Sequence, residues 1–235
     1  MTDHNHHKQP DSVSRRARAQ IAALFYERMM LVLLALLVLM LFVVPVLADT
    51  VIEGRLLVDL MLTAVLIVGT LAVSANRTLM WILVACSTVA LVLRWSEWIL
   101  PLGLLPVVRD ASVLLSFLVM SVAVGINVFG PDSNVMNRLI GAIVLYLLVA
   151  MMWASAYLIV SFADPSAFSK PTQPETPTLQ WLYFSFTTLT TLGYGDIVPV
   201  SRLARSLAMV EALIGQLYPA VILARLVSVD LSNRP

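Results

Sequence analysis

The sequence predicts an all-α membrane protein with six transmembrane helices. Its 235 residues are 60% hydrophobic and 12% charged, with a mean hydropathy of +0.90, which is typical of an integral membrane protein. Six apolar runs reach or approach the ~20 residues that a helix needs to cross a bilayer. They cover about 29–47, 56–74, 79–93, 107–129, 139–162 and 203–229. A shorter apolar stretch, 179–190, predicts a re-entrant helix.

The first 28 residues form a polar, basic segment. Its basic residues are His4, His6, His7, Lys8, Arg15, Arg16, Arg18 and Arg28. Over 14–26 the arginines alternate with apolar residues, which predicts a basic amphipathic helix on anionic cytoplasmic lipids. The histidines suit either a metal site or a flexible, solvated tail. The apolar run that follows is too long for a secretory signal, so we expect a cytoplasmic segment at 1–28.

The next four spans, 29–129, form a four-helix region with few charges inside it. Those singled out are Asp59, Arg94, Arg109 and Asp110. They suit one or two buried ion pairs that fix helix packing, or a role in gating. Arg109 is the only basic residue of the fourth span, whereas steep voltage gating needs about 3–4 charges per subunit. The sole cysteine, Cys86, excludes a disulfide within the chain.

Basic residues in the short connections predict the orientation in the membrane. With the N-terminus inside, the cytoplasmic side holds the N-terminal cluster and the arginines Arg77, Arg138, Arg225 and Arg234. Six spans return the C-terminal tail, 230–235, to the same side. We therefore expect a multi-pass protein of the cell membrane (plasma or inner membrane), with both termini cytoplasmic.

The last large part, 130–229, contains an outer span, a loop, the re-entrant helix and a final span. Four prolines among Ser, Thr and Gln at 163–178 indicate a loop outside the bilayer. The re-entrant helix leads into Thr191-Leu192-Gly193-Tyr194-Gly195-Asp196. Its two glycines permit φ values that side chains disfavour, so the carbonyl oxygens of 191–195 can face one axis. Where several copies converge, these oxygens and the Thr191 hydroxyl can replace the hydration shell of K⁺.

Residues 181–226 resemble the pore module of bacterial tetrameric potassium channels, over roughly a fifth of the chain. The Thr-Leu-Gly-Tyr-Gly-Asp motif is specific in this setting, between a short apolar helix and a full span. The resemblance implies a homotetramer with pore helix 179–190, selectivity filter 191–195 and inner helix 203–229. It places K⁺ at Thr191, Leu192, Gly193 and Tyr194. Asp196 at the outer mouth would raise the local cation concentration.

The resemblance also suggests residues that support the filter. Trp181, Tyr183 and Phe184 would form an aromatic cuff that holds the filter at its diameter, or they are ordinary interfacial aromatics. Three threonines of the pore helix offer hydroxyls to the backbone without adding charge: Thr187, Thr188 and Thr190. Some bacterial relatives carry a glutamate at the position of Thr187. Because this chain lacks it, the inactivation of those relatives is not implied.

The inner helix contains three residues with candidate gating roles. Gly215 stands where related channels bend, although a glycine there also permits close helix packing. Pro219 favours a bend because a proline within a helix frees a carbonyl group. Glu211 is either functional, since a carboxyl group inside a span is costly, or a neutral, hydrogen-bonded acid behind the pore helix. Its expected partners are Thr187, Thr188 or Arg205.

The sequence therefore predicts a potassium-selective channel that conducts passively and is not steeply voltage-gated. The number of spans matches voltage-gated channels, but the ladder of arginines is missing. We expect no enzymatic activity, no cofactor beyond K⁺ as the permeant ion, and no nucleic-acid partner. The alternative is a potassium transporter subunit or a non-conducting membrane scaffold. Related transporters carry four degenerate filters in one chain, whereas this chain has one full motif, which favours the channel.

Overall fold

The computed structural model describes residues 10–50, 54–73, 77–99, 106–130, 135–169 and 176–232. These residues form eight α-helices and no β-strand, which confirms the all-α prediction. The helices are α1 (Pro10–Phe42), α2 (Val44–Thr50), α3 (Gly54–Ala72), α4 (Arg77–Ile99), α5 (Pro106–Phe129), α6 (Val135–Ala163), α7 (Pro177–Leu189) and α8 (Arg202–Ser232).

Six helices are long and apolar enough to cross a membrane, in agreement with the predicted six spans. Their spanning segments are Leu24–Phe42, Gly54–Ala72, Thr78–Ile99, Val107–Phe129, Met136–Ala163 and Arg202–Arg225. The predicted helix at 14–26 is continuous with the first of these segments, since α1 runs without a break from Pro10 to Phe42. Its placement on anionic lipids stays a prediction.

The first span differs from the prediction, which treated 29–47 as one run. Helix α1 ends at Phe42, and the short helix α2 begins at Val44. The cause is Pro45, which has no N–H to donate to the carbonyl of Leu41 and whose ring clashes with that carbonyl. A sum over apolar residues misses this break because the residues on both sides of it are equally hydrophobic.

The third span is longer than predicted. The apolar run was expected to end at residue 93, but α4 continues to Ile99 and carries Arg94 and Glu97 within its last two turns. The Arg94 side chain is only 8% exposed. Both charged residues are retained inside the helix because each has a partner of opposite charge on another helix, which offsets the cost of removing it from water.

Residues 130–229, called the pore region here after the predicted pore module, pack against the four-helix region of the same chain. Helices α5 and α6 are joined by only the short stretch 130–134 and pack side by side, with α1 on another face of α6. Short connections between helices place them as antiparallel neighbours. Helix α7 lies between α6 and α8. A continuous buried core links the helices of both regions.

Candidate functional site

Helix α7 brings the chain into the centre of the pore region. It begins at Pro177, a favoured residue at a helix start because its missing N–H has no partner there in any case. It ends at Leu189 after 13 residues, or roughly 20 Å at 1.5 Å per residue. This length is too short to span a bilayer. A short helix is thus present at the predicted position, 179–190, with slightly shifted ends, and its re-entrant placement in the membrane stays a prediction.

The backbone after α7 alternates in the sign of φ. Thr191 has φ +58°, Gly193 has φ +51° and Gly195 has φ +82°, whereas Leu192 and Tyr194 between them are not in the positive-φ region. A Cβ on either glycine would meet no atom within 4 Å. The glycines are therefore required by their backbone conformation and not by crowding, as the sequence predicted.

Alternation in the sign of φ affects where the backbone groups can point. Where such residues also alternate between right-handed and left-handed conformations, successive N–H groups turn towards one side of the chain, which leaves the other side to the carbonyl oxygens. Thr191 is a β-branched residue with positive φ, which is a conformational outlier. Such strain costs of order 1–3 kcal/mol and clusters at functional sites. The alternating sign of φ in this tract is compatible with the predicted wall of carbonyl oxygens.

Backbone hydrogen bonds join the filter tract, 191–196, to the last turn of α7. The N–H of Gly193 donates to the carbonyl of Thr187 at 3.1 Å, and the N–H of Thr191 donates to the carbonyl of Thr188 at 3.0 Å. The Thr187 and Thr190 hydroxyls donate to the carbonyls of Phe184 and Phe186 within α7. Hydroxyl bonds to the backbone were predicted for these threonines; the use of the Thr187 and Thr188 carbonyls was not.

The filter tract is also tied from its outer side, by a contact that the sequence did not indicate. The segment after α6 pairs in antiparallel fashion with the segment after the filter, at Phe168 and Pro199. The N–H of Ser169 donates to the carbonyl of Val198 at 2.8 Å, and the N–H of Val200 donates to the carbonyl of Ala167 at 2.7 Å. Both ends of the filter loop are therefore fixed.

The predicted aromatic cuff does not act as one group within the chain. Trp181 and Phe184 are buried and pack with Phe168 and Tyr157; the closest pair of rings, Phe168 and Trp181, lies 4.5 Å apart. Phe184 meets both Tyr157 and Trp181 edge to face, a favourable arrangement for aromatic rings that stabilises the packing behind the pore helix. Tyr183 points elsewhere, into a cavity of about 460 Å³ that the filter also lines. A cuff role for it stays a prediction.

Glu211 lies behind α7, level with the pore helix as predicted, and its side chain is fully buried. Its partners differ from those predicted. The hydroxyls of Tyr157 on α6 and Ser185 on α7 each lie 2.5 Å from one of its carboxyl oxygens. Arg205 instead donates to the carbonyl of Pro199, and Thr187 bonds within α7.

Gly215 provides the closest approach of α8 to α7. A Cβ at this position would clash with the backbone carbonyl of Leu189, the last residue of α7. Pro219 lies four residues further on within α8, so the carbonyl of Gly215 receives no intrahelical bond from it. The packing role of Gly215 is visible in this contact. Bending at Gly215 and Pro219 stays a prediction.

Within the described part of a single chain, the filter tract, 191–196, is left exposed. Residues 191–196 are all exposed, with Leu192 56% and Tyr194 69% exposed. Helix α8 is similar: only 11% of its spanning segment is buried, against 50% for α6. Apolar residues along α8, such as Leu213 and Leu217, are more than half exposed.

The charges of the four-helix region form a connected set of ion pairs at one end of α3, α4 and α5. Arg94 binds Asp59, whose other oxygen accepts from the Trp98 indole at 2.9 Å. Arg109 binds Asp110 through two nitrogens and Glu97 through a third at 2.5 Å. The predicted ion pairs of the four singled-out residues are thus confirmed. The contributions of Glu97 and of Arg55, which also binds Glu97, were missed.

Comparison with known proteins bears on the pore region. Residues 139–229 match the family model for ion channels, which is less than half of the chain. The chain is similar to protein LctB of Bacillus caldotenax, with 34% identity over 87 residues, 35% of this chain and 64% of that protein. It is 50% identical to protein LctB of Geobacillus stearothermophilus over 46 residues, 20% of this chain and 34% of that protein.

The chain thus covers less than two thirds of the length of these two relatives. The family match extends from the first turns of α6 through the filter tract into α8, the same elements that form the site. Together with the six apolar helices, it supports an ion channel in a multi-pass membrane protein.

Proposed function

We propose that the chain is one subunit of a homotetrameric, potassium-selective channel that conducts K⁺ passively. The observation that carries the proposal is the alternating sign of φ at Thr191, Gly193 and Gly195. Such alternation allows a row of carbonyl oxygens to face one axis, and carbonyl oxygens arranged in this way replace the water around a dehydrated K⁺. The K⁺ contacts belong to Thr191, Leu192, Gly193 and Tyr194, with Asp196 at the outer mouth.

The exposure of the filter and of α8 favours assembly from several copies. One chain supplies one wall of carbonyl oxygens, so an ion can be surrounded only where walls converge. The apolar residues of α8 that are exposed on one chain would then pack against neighbouring subunits or lipid. In this arrangement 130–229 is the pore domain, 29–129 surrounds it, and both termini lie in the cytoplasm of a cell whose anionic lipids bind 1–28.

The ion pairs of the four-helix region favour weak voltage dependence. The Arg109 side chain is 12% exposed and bound to both Asp110 and Glu97. Moving this charge with its helix through the membrane field would carry the opposite charge of Asp110 along with it and would break the contact with Glu97 of α4. It is also the only basic residue of its span, whereas steep gating needs about 3–4 per subunit. The region is therefore proposed to be a rigid support.

Flux into liposomes that contain only the purified protein tests the channel against a transporter subunit or a scaffold. The channel predicts K⁺ uptake down its gradient without a second protein or an energy source. A scaffold predicts no uptake, and a transporter subunit predicts uptake only after its partner is added. Crosslinking of the same preparation should give four copies per particle, and a smaller assembly would contradict the tetramer.

A further inference from the structure

Glu211 joins three helices of the pore region through two short contacts. Oε2 lies 2.5 Å from the Tyr157 hydroxyl of α6, and Oε1 lies 2.5 Å from the Ser185 hydroxyl of α7. The Ser185 hydroxyl also lies 2.8 Å from the carbonyl oxygen of Ala150 on α6. The carboxyl group is fully buried and has no ion-pair partner within the described part of the chain.

Counting protons decides the state of the carboxyl group. Three oxygen–oxygen contacts at hydrogen-bond distance need three protons. An ionised Glu211 can only accept hydrogen bonds. The Tyr157 and Ser185 hydroxyls carry one proton each, so together they supply only two of the three protons that the contacts need. A neutral Glu211 supplies the missing one. It then donates to Ser185, Ser185 donates to the Ala150 carbonyl, and Tyr157 donates to the other carboxyl oxygen.

We propose that Glu211 is held as a neutral carboxylic acid and that its proton controls whether the inner, outer and pore helices stay joined behind the filter. Loss of the proton breaks the chain of hydrogen bonds and stops conduction. The control of conduction rests on the proposed channel function, whereas the neutral state of Glu211 does not. The residue acts by positioning the pore helix and does not touch the permeant ion.

The contacts extend from Glu211 to the filter in two short steps. Ser185 lies two residues before Thr187, whose carbonyl holds the N–H of Gly193. One helical turn beyond Glu211, Gly215 packs directly on the carbonyl of Leu189. Ionisation would leave a buried charge without a cation, which is strongly unfavourable unless the helices separate to admit water. Separation at this level would release the base of the filter.

The other titratable side chains near Glu211 make hydrogen bonds elsewhere or titrate at higher pH, so they do not account for the proposed pH response. On α6 they are Tyr157 and Tyr146, and Tyr146 points to the carbonyl of Leu189 at 3.4 Å. On α7 the titratable residue is Tyr183, which lines the cavity beside the filter. On α8, Tyr218 donates to the carbonyl of Ala142 at 2.8 Å and Arg205 to that of Pro199. Phenols ordinarily titrate only near pH 10.

Glu211→Gln tests the role of the carboxyl proton, because a glutamine has nearly the same shape as a protonated glutamate. The amide N–H of a glutamine can donate to Ser185 while its oxygen accepts from Tyr157, so it reproduces the neutral acid but cannot ionise. We expect the parent protein to lose at least about tenfold of its K⁺ flux between about pH 7 and about pH 9, which is below the range in which phenols ordinarily titrate. Glu211→Gln should conduct across the same range without that loss. An equal alkaline loss in both proteins would overturn the proposal.

Infrared difference spectroscopy tests the protonation without any flux. The carbonyl stretch of a neutral carboxylic acid should be present in the parent protein at neutral pH and absent in Glu211→Gln. Asp164→Asn is the matched control, because hydrogen bonds from the hydroxyl and the backbone N–H of Ser166 hold the pKa of exposed Asp164 below its usual range. The control should therefore keep the band.

A second variant, Tyr157→Phe, provides an independent test in case Glu211→Gln does not fold. Tyr157→Phe removes the donor to Oε2 and leaves the acid proton on Ser185, so the carbonyl stretch should persist and move to higher frequency. No neutral-acid band in the parent protein would overturn the proposal even if the protein conducts K⁺. A band without any K⁺ flux would instead overturn the proposed function and the control of conduction, and leave the neutral state of Glu211 standing.

Discussion

The charged residues of the four-helix region and the filter tract of the pore region differ in how their polar groups find partners. In the four-helix region, buried Arg94 and largely buried Arg109 are paired with carboxylates of the same chain. In the pore region, the polar backbone from Thr191 to Asp196 is exposed on a single chain. One region pairs its charges within the chain, whereas the other leaves this segment exposed. Under the proposed function, the first is a support, and the second is completed by other copies and by ions.

The largest effect is expected when one glycine is replaced with alanine in the pore region and, as a control, one in the four-helix region. Gly193→Ala should abolish K⁺ flux, because an alanine at φ +51° costs about 1–2 kcal/mol in each subunit and the filter tolerates no shift. Gly125→Ala is the matched control. There a Cβ would lie 3.6 Å from Leu145 in ordinary contact, and flux should be unchanged. Loss of flux in both variants, or in neither, would remove the distinction.

The next largest effect concerns the buried ion pair of the four-helix region. Asp59→Leu leaves Arg94 buried without a partner and should lower the free energy of unfolding by about 3–5 kcal/mol. Replacing both Asp59 and Arg94 with leucine should recover most of that loss, since a well-packed apolar pair is often neutral or stabilising. Thermal unfolding in detergent measures both variants. An Asp59→Leu protein as stable as the parent would show that the pair is not structural.

A smaller effect is expected where the inner helix meets the pore helix. Gly215→Ala places a Cβ against the carbonyl of Leu189, which should cost about 1–3 kcal/mol of stability, as overpacking does. Gly215→Ala should also reduce the fraction of tetramers, measured by native electrophoresis. An unchanged stability would mean that α8 moves freely away from α7, which would favour a hinge at Gly215 over packing.

The smallest expected effect is the response to voltage. Because Arg109 is the single basic residue of its span and is held by two carboxylates, open probability should change weakly between about −100 and about +100 mV, as expected for far fewer than 3–4 gating charges per subunit. Arg109→Gln should leave the slope of open probability against voltage unchanged. A steep sigmoid in a planar bilayer, whether or not it survives that substitution, would contradict a purely supporting region.

The sequence predicted the features that are local along the chain. Six apolar runs and the two glycines of the filter tract each depend on residues close together in sequence. The ion pairs around Asp59 and Arg94 were also predicted, because buried charges require partners and few were available. The interruption at Pro45 and the continuation of α4 to Ile99 were missed. Both depend on the geometry of one residue or on a partner elsewhere, and not on mean hydropathy.

The partners of Glu211 show why the rest could not be predicted. Thr188 was an expected partner, and Ser185 is the observed one, three residues earlier and therefore on nearly the same face of α7. The prediction placed the partner on the correct face of α7. Which turn of α7 lies level with Glu211 depends on how α7 packs against α8, and the sequence does not give this. Tyr157 lies 54 residues from Glu211. No spacing within one helix indicates a contact at that separation.

The central claim is that the filter tract selects K⁺, and the reversal potential under bi-ionic conditions tests it most directly. With K⁺ on one side of a bilayer and an equal concentration of Na⁺ on the other, the purified protein should drive the potential far towards the K⁺ equilibrium value. Replacing K⁺ with Rb⁺ should change it little, since the carbonyl oxygens of 191–195 suit ions of that size. A reversal at no applied potential would mean equal permeability to Na⁺ and K⁺ and would contradict the account.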